Sequence, residues 1–209
     1  MRTRVKICGI TRPEDGVAAA EAGADSIGLV FYPKSPRNVS VEQARAICAA
    51  LPPFVTVTAL FLDPRRAFVE SVLEGVPVSL LQFHGDECAA DCTGYGLPYI
   101  KAIGMRENTQ VKAYADCYAD AAGILLDGHA LGAAGGAGET FDWRRVPDDL
   151  GKPVIIAGGL TPENVAQAIE AARPWGVDMS SGVESSPGVK DHGKIAALMN
   201  EVKRVDCER

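Results

Sequence analysis

The sequence predicts an α/β fold consisting of a single (β/α)8 TIM barrel, and three observations support this prediction. Eight short β-branched or apolar runs recur along the 209 residues. Their spacing of roughly 20 to 30 residues accommodates one strand, one crossover helix and two short loops. Several of the stretches between them repeat apolar residues with the period of an α-helix. The predicted strands are Val5 to Cys8, Ser26 to Phe31, Phe54 to Phe61, Val78 to Phe83, Pro98 to Ile103, Gly123 to Asp127, Pro153 to Ala157 and Val177 to Ser180.

The predicted helices lie between these strands. After the second strand, Ser40 and Gln43 have the spacing of a capping box. After the sixth, the Gly/Ala-rich stretch from Gly128 to Asp149 predicts at most a short or irregular helix. After the seventh, Thr161 is the expected N-cap and Pro162 suits the first turn. Three apolar stripes follow the helical period: Ala44, Ile47, Cys48 and Leu51; Val165, Ala168, Ile169 and Ala172; and Ile195, Leu198, Met199 and Val202.

Eight consecutive strand–helix units are compatible with either an open doubly wound sheet or a closed barrel. Open sheets of this length usually have about five to seven strands and often carry a G-x-G-x-x-G motif after the first. No such motif follows Val5 to Cys8. We therefore predict a closed barrel, with residues 1–209 forming one catalytic domain without a linker.

The composition excludes several classes of protein. Hydrophobic residues make up 47% and charged residues 23%, as in ordinary globular proteins. The net charge of −6 argues against a nucleic-acid partner. Because no apolar stretch approaches about 18 residues, we expect a cytoplasmic protein with no membrane partner. The six cysteines show no C-x-x-C spacing and the three histidines no H-x-x-x-H spacing, so we expect neither a disulfide framework nor a metal site.

In a barrel of this type the active site lies at the carboxyl ends of the strands. Side chains alternate along a strand, so the apolar Val5 and Ile7 suit the interface with the helices. The residues that would then point into the barrel are Lys6 and Cys8, Gln82 and His84, Leu125 and Asp127, and Asp178 and Ser180. Polar groups from separate strands are therefore expected to converge.

Two glycine-containing loops follow the last two strands. They comprise Gly158 and Gly159, and Ser180, Ser181 and Gly182. Barrels bind phosphate at this place with backbone amides, and glycine permits a close approach. Tight turns explain either motif alone equally well. Two such motifs at adjacent strand ends favour a phosphate site.

Cys8 and Asp127, at the ends of the first and sixth strands, are a possible acid–base pair. Most free cysteines are inert and buried, which is the alternative for Cys8. Asp127 ends an apolar run, and a carboxylate in that place must cap a helix, pair with a positive charge or take part in catalysis. Lys6 could favour a Cys8 thiolate, or it could instead pair with Asp178.

The motifs resemble those of the phosphoribosylanthranilate isomerase family of tryptophan biosynthesis over nearly the whole chain. Several blocks in the same order carry the resemblance. They are Lys6 to Thr11, Gly28 to Phe31 continuing into Tyr32 to Arg37, Gln82 to Gly85, Leu126-Asp127, Gly158 to Asn164 and Ser180 to Glu184.

The resemblance implies an Amadori rearrangement of N-(5-phosphoribosyl)anthranilate to 1-(2-carboxyphenylamino)-1-deoxyribulose 5-phosphate, without a cofactor. It implies that Asp127 is the general acid for the furanose ring oxygen and that Cys8 is the general base for the C2′ proton. Arg37 would hold the anthranilate carboxylate, a role that suits a guanidinium group. His84 and Asp178 are further expected contacts to a phosphosugar substrate, with a hydrogen-bonded structural histidine as the equal alternative for His84. We expect a monomer or a homodimer.

One departure lies after the sixth strand, where Glu139 occupies a position that often carries lysine in the family. We expect this carboxylate to point to solvent, leaving phosphate binding to backbone amides. Three other functions stay open. A phosphosugar epimerase should show metal ligands, and a histidine-pathway aldose–ketose isomerase should have aspartate in place of Cys8. A sensor would bind the ligand without converting it.

Overall fold

The computed structural model describes residues 2–128 and 140–209. Within these residues, eight parallel strands pair in chain order and close between the last and the first. The predicted barrel is therefore confirmed. The strands are β1 Arg4–Cys8, β2 Ser26–Val30, β3 Thr56–Phe61, β4 Leu80–Phe83, β5 Tyr99–Gly104, β6 Gly123–Asp127, β7 Val154–Ala157 and β8 Gly176–Met179.

The α-helices follow β1, β2, β3, β5, β7 and β8. They are α1 Pro13–Ala22, α2 Val41–Ala50, α3 Arg66–Gly75, α4 Val111–Asp116, α5 Val165–Ala172 and α6 His192–Glu208. The capping box at Ser40 and Gln43 is present, and the predicted stripes of α2, α5 and α6 pack on the barrel. No helix of the described residues is long and apolar enough to cross a membrane.

The fourth strand–helix unit has no α-helix, a reduction that the sequence pattern does not predict. Only the 3₁₀ helix Ala89–Cys92 lies between β4 and β5. The connection is short, and Gly94 and Gly96 adopt positive φ values of 83° and 72°, which end any helical run. After β6, the described residues contain the 3₁₀ helix Trp143–Arg145, in agreement with the short helix predicted there.

Several predicted boundaries shift by one or two residues. Phe54 has a φ of 71° and a fully exposed side chain, so β3 begins at Thr56 instead of Phe54. Thr161 does not cap α5. Its hydroxyl accepts a hydrogen bond from the backbone N–H of Glu163 in a preceding turn, and Asn164 is the N-cap.

An antiparallel hairpin that the sequence analysis did not predict follows β8. Its strands are β9 Glu184–Ser186 and β10 Val189–Lys190. These strands are too short for an alternating pattern to be recognised. The hairpin places Glu184 and Lys190 at the carboxyl ends of the barrel strands.

The apolar residues form two layers, as the alternation along the strands requires. Val5 and Ile7 belong to the large cluster between the sheet and the helices. A smaller cluster, inside the barrel, contains Ile100, Ala102, Leu125, Ile155 and Ala157. The predicted inward direction of Leu125, and with it that of Asp127, is thus confirmed.

A buried ion pair occupies the space beside the short β4–β5 connection. Lys101 is 1% exposed, and its Nζ lies 2.7 Å from Glu87 Oε2 and 2.6 Å from the carbonyl oxygen of Gly85. The Glu87 carboxylate also accepts the backbone N–H groups of Asp63 and Gly85. This pair therefore fixes the loop that follows β4.

Replacing Lys101 by methionine is expected to destabilise the protein by about 3–5 kcal/mol, because it leaves the Glu87 carboxylate buried without its charge partner. Urea unfolding followed by circular dichroism measures this loss. Lys112→Met is the matched control, since the Lys112–Asp116 pair is exposed on α4. It should change stability by less than about 0.5 kcal/mol. Equal effects in the two variants would contradict the structural role of Lys101.

Candidate active site

The carboxyl ends of the strands bring together side chains from separate parts of the chain. Cys8 ends β1 and Asp127 ends β6, while His84 directly follows β4. Asp178 lies in β8, and Ser180 follows that strand. Strand alternation predicts that each of these side chains points inward.

Lys6 and Asp178 form a buried ion pair across β1 and β8. The Lys6 Nζ lies 2.8 Å from Asp178 Oδ2, and both residues are less than a tenth exposed. Burial acts to lower the pKa of Lys6, but the charge and hydrogen bond of Asp178 raise it above its ordinary value. Of the two alternatives for Lys6, pairing with Asp178 is the one the structure shows.

The Cys8 thiol is buried beside these charges. Burial raises the pKa of the Cys8 thiol above its ordinary value, and the positive charges of Lys6 and Lys190 act against this rise without cancelling it. Lys6, although it is paired with Asp178, still acts to lower the pKa of Cys8, but burial outweighs this effect. Burial therefore favours the thiol form of Cys8 over the thiolate.

Alkylation should report this property directly. We expect the rate at which iodoacetamide modifies Cys8 to rise with pH and to reach its midpoint above the ordinary thiol value of about 8.5, because only the thiolate reacts. Peptide mass spectrometry across a pH series measures the rate, with the exposed Cys117 as an internal reference. A midpoint for Cys8 below the ordinary value would contradict the dominance of burial.

Asp127 belongs to a chain of hydrogen bonds with two residues of the β4 end. The Nε2 of His84 lies 3.1 Å from Asp127 Oδ2, and the Nε2 of Gln82 lies 2.9 Å from Nδ1 of His84. Gln82 is completely buried, whereas Asp127 and His84 are slightly exposed. An imidazole nitrogen that accepts a hydrogen bond carries no proton, so this arrangement places the His84 proton on Nε2.

Asp178 connects the two candidate catalytic groups. Its carboxyl group interacts electrostatically with Lys6, His84 and Asp127. The same carboxyl group also acts on the thiol of Cys8. The thiol of β1 and the carboxyl group of β6 therefore belong to one electrostatic cluster inside the mouth of the barrel.

Arg37 is held by the hairpin after β8. Its Nε and Nη2 donate to Glu184 Oε1 and Oε2 at 2.8 and 2.7 Å, and Lys190 Nζ donates to Oε1 at 2.8 Å. Burial acts to raise the pKa of Glu184, but Arg37 and Lys190 hold it below its usual range. The bidentate pair fixes the guanidinium in one orientation.

The two glycine-containing loops pack tightly against their neighbours. Gly158 and Gly159 have positive φ values of 85° and 63°. A Cβ at Gly182 would overlap the carbonyl oxygen of Leu160, so the loop after β8 lies directly on the loop after β7. The Ser180 Oγ is buried and has no hydrogen-bond partner among the described residues.

Sequence reasoning missed two members of the site. Glu184 was part of a recognised motif but received no role, and Lys190 belongs to no motif. Glu139 lies outside the described residues, so its expected orientation stays a prediction. Within residues 2–128 and 140–209, no group of three His, Cys, Asp or Glu side chains is placed to hold a metal ion.

Comparison with known proteins addresses the family of the chain. The family model described as N-(5'phosphoribosyl)anthranilate (PRA) isomerase matches residues 5–201. The chain belongs to the phosphoribosylanthranilate isomerase family. The resemblance seen in the sequence motifs is thereby confirmed, and so is an isomerase of tryptophan biosynthesis as the class of enzyme.

Members of the family from several bacteria align with nearly the whole chain. The N-(5'-phosphoribosyl)anthranilate isomerase of Pseudomonas fluorescens strain Pf0-1 is 57% identical over 200 residues, covering 96% of this chain and 98% of the relative. The crystal structure of the enzyme from Thermotoga maritima has a TM-score of 0.89 at 39% identity, covering 97% and 99%. A structure of the isomerase in complex with reduced 1-(o-carboxyphenylamino)-1-deoxyribulose 5-phosphate has a TM-score of 0.86 at 38% identity, with the same coverage.

Proposed function

We propose that this chain converts N-(5'-phosphoribosyl)anthranilate into 1-(2-carboxyphenylamino)-1-deoxyribulose 5-phosphate, with Asp127 as general acid and Cys8 as general base. One observation carries the assignment of these roles. A thiol and a carboxyl group from strands β1 and β6 both interact with the buried Asp178 at the mouth of one barrel. An acid and a base that act on one sugar must both be able to reach the same bound molecule.

The reaction needs two proton transfers by the protein. Asp127 gives its proton to the furanose ring oxygen, the bond from that oxygen to C1′ breaks, and the anthranilate nitrogen becomes part of an iminium ion. The Cys8 thiolate then removes the proton from C2′, and the electron pair of that C–H bond neutralises the iminium. The resulting enolamine tautomerises to the ketone. After each cycle Asp127 must regain a proton and Cys8 must lose one.

These roles require a carboxylic acid and a thiolate at the same time. Because burial raises the pKa of Cys8, only a small fraction of the free enzyme has the thiol ionised while Asp127 keeps its proton. Lys6 and Lys190 increase this fraction by stabilising the thiolate. The acidic limb of the pH–rate profile then reports the titration of the carboxyl group, and the basic limb reports that of the thiol.

The remaining predicted residues bind the substrate in this proposal. Arg37, held by Glu184, receives the anthranilate carboxylate. His84 and Asp178 contact the sugar. The phosphate lies against the loops after β7 and β8, where Gly158, Gly159, Ser180, Ser181 and Gly182 offer backbone amides and hydroxyl groups.

We further propose that residues 1–209 act as one catalytic domain in the cytoplasm, as a monomer or a homodimer, on a small phosphosugar substrate. The reaction as written is an isomerisation without net oxidation or reduction, so it needs no redox cofactor. The net charge of −6 supports the further proposal that nucleic acid and membranes are not partners.

The direct test is the decay of phosphoribosylanthranilate fluorescence after addition of the purified protein, without metal or nucleotide. Rapid decay supports the proposed function. Binding of substrate without decay would instead identify a sensor, and no binding at all would also refute the proposal.

Replacing Arg37 by lysine is expected to raise KM by about tenfold to hundredfold, because lysine cannot make the paired hydrogen bonds of a guanidinium to a carboxylate. Its effect on kcat should be far smaller, since the interaction is made in the bound substrate and in the transition state alike. Lysine keeps a positive charge beside Glu184. Steady-state kinetics measures both constants. Arg66→Lys, on the surface of α3, is the control and should leave KM unchanged; an unchanged KM in Arg37→Lys would remove Arg37 from the substrate site.

A further inference from the structure

We propose that Gln82 is a positioning residue that sets the protonation of Asp127 by selecting the tautomer of His84. The inference rests on the proposed function, because it gives Asp127 the role of general acid. It assigns a role to a buried residue that does not itself reach the substrate in the mechanism above.

Gln82, His84 and Asp127 form a chain of hydrogen bonds. Gln82 Nε2 lies 2.9 Å from His84 Nδ1, and His84 Nε2 lies 3.1 Å from Asp127 Oδ2. Gln82 is completely buried, and its Oε1 has no hydrogen-bond partner among the residues that the structure describes. A buried oxygen without a partner is costly, and a state in which this oxygen accepts a hydrogen bond removes that cost.

This chain of hydrogen bonds between Gln82, His84 and Asp127 has two self-consistent states. In the first, the Gln82 amide donates to Nδ1, and His84 donates from Nε2 to an ionised Asp127. In the second, the amide group of Gln82 is flipped, so that Oε1 accepts a hydrogen bond from the N–H at Nδ1 of His84. His84 Nε2 then has a lone pair, and it accepts a hydrogen bond from the protonated carboxyl group of Asp127.

The second state contains one proton more than the first, and the transfers balance. A solvent proton binds Nδ1 and gives an imidazolium, and the proton on Nε2 moves to Asp127 Oδ2. The product is a neutral imidazole beside a neutral carboxylic acid. This is the proton that Asp127 must regain after each turnover. The amide of Gln82 is suited to both states because it offers a donor on one side and an acceptor on the other.

Among residues 2–128 and 140–209, the groups on the strands around Asp127 do not supply this function. Flanking strands β5 and β7 place Gly104 and Ala157 opposite Asp127, and neither has an ionisable side chain. From β8 the nearest charged group is Asp178, whose partner on β1 is Lys6. Lys101 of β5 points outward to Glu87.

Gln82→Met tests the inference, since methionine fills the site but cannot accept the Nδ1 proton. Asp127 should then hold its proton less tightly, by about the worth of one hydrogen bond. We expect the midpoint of the acidic limb in the pH profile of kcat/KM to shift to lower pH by about one unit. The plateau of kcat/KM between the two limbs should fall about tenfold, because a pKa shift of one unit changes the protonated fraction of Asp127 tenfold. Gln82→Glu keeps an acceptor and should keep the limb at or above its wild-type position.

Two controls separate this effect from a general defect. Thr58→Val removes a buried hydroxyl group of β3 inside the barrel that bonds to Ser26 and not to His84, and it should leave the limb in place. In a His84→Ala background, Gln82→Met should shift the limb no further, because Gln82 acts through His84. If Gln82→Met lowers the plateau of kcat/KM but leaves the midpoint of the acidic limb unchanged, the inference is overturned.

A measurement on the unmodified protein covers the case in which the variants fail to fold. Nitrogen-15 chemical shifts of the three histidines identify which ring nitrogen carries the proton. His192, which contacts Asp15 at 2.9 Å, serves as the internal reference. The His84 proton should move from Nε2 to Nδ1 as pH falls through the acidic limb. A proton that stays on Nε2 overturns the inference, whereas absence of isomerase activity in the wild type overturns the proposed function instead.

Discussion

Cys8→Ser is expected to lower kcat by about two to four orders of magnitude, the range that a general base contributes. A serine hydroxyl has nearly the shape of the thiol but holds its proton far more tightly, so almost no alkoxide forms beside Lys6. The substrate contacts stay in place because Cys8 removes a proton and does not hold a charged group of the substrate. KM should therefore change little, and steady-state fluorescence kinetics measures both constants.

Cys92→Ser is the matched control for this variant. Cys92 is also buried, and burial raises its pKa to about 12, but it lies in the 3₁₀ helix after β4 and belongs to the apolar cluster between the sheet and the helices. This variant should keep full turnover. Full turnover in Cys8→Ser as well would remove Cys8 from the role of base.

Asp127→Asn is expected to lower kcat by a similar factor of about 10² to 10⁴. Asparagine can still form a hydrogen bond with His84, but it has no acidic proton to give to the ring oxygen. Ring opening should become the slow step. A non-reacting product analogue should still bind with nearly unchanged Kd, which isothermal titration calorimetry can measure.

Asp206→Asn provides the comparison for the loss of a carboxylate elsewhere. Asp206 lies near the end of α6 and accepts hydrogen bonds from Thr3 at the opposite end of the barrel. Its replacement should leave kcat unchanged. A kcat for Asp127→Asn equal to that of the wild type would refute its assignment as acid.

The barrel was predictable because its determinants are local and repeated. Each strand is a short apolar run, and the capping box at Ser40 and Gln43 depends on a spacing of three residues. The β4–β5 connection was not predictable in the same way. There Lys101 and Glu87 form a buried ion pair beside a short 3₁₀ helix. Because these residues are 14 positions apart, no local sequence pattern predicts the pair.

The site was predictable where a side chain's place depends on strand alternation. Cys8 and Asp127 followed from counting residues along two strands, because side chains in a strand alternate with a period of two. The environment of those groups was not predictable. Whether Lys6 favours the Cys8 thiolate depends on the balance between burial and charge, and the hairpin that holds Arg37 through Glu184 has strands too short to recognise.

The sequence by itself determined the number of barrel strands, their order and which residues face the interior, since apolar periodicity and alternation are properties of neighbouring positions. It also determined the family through ordered motifs. Only the tertiary structure decided which charges meet. Lys6 pairs with Asp178, Arg37 with Glu184, and His84 contacts both Gln82 and Asp127. Such pairings join residues far apart in the chain, and their electrostatic effect depends on distance and burial, which exist only once the barrel has closed.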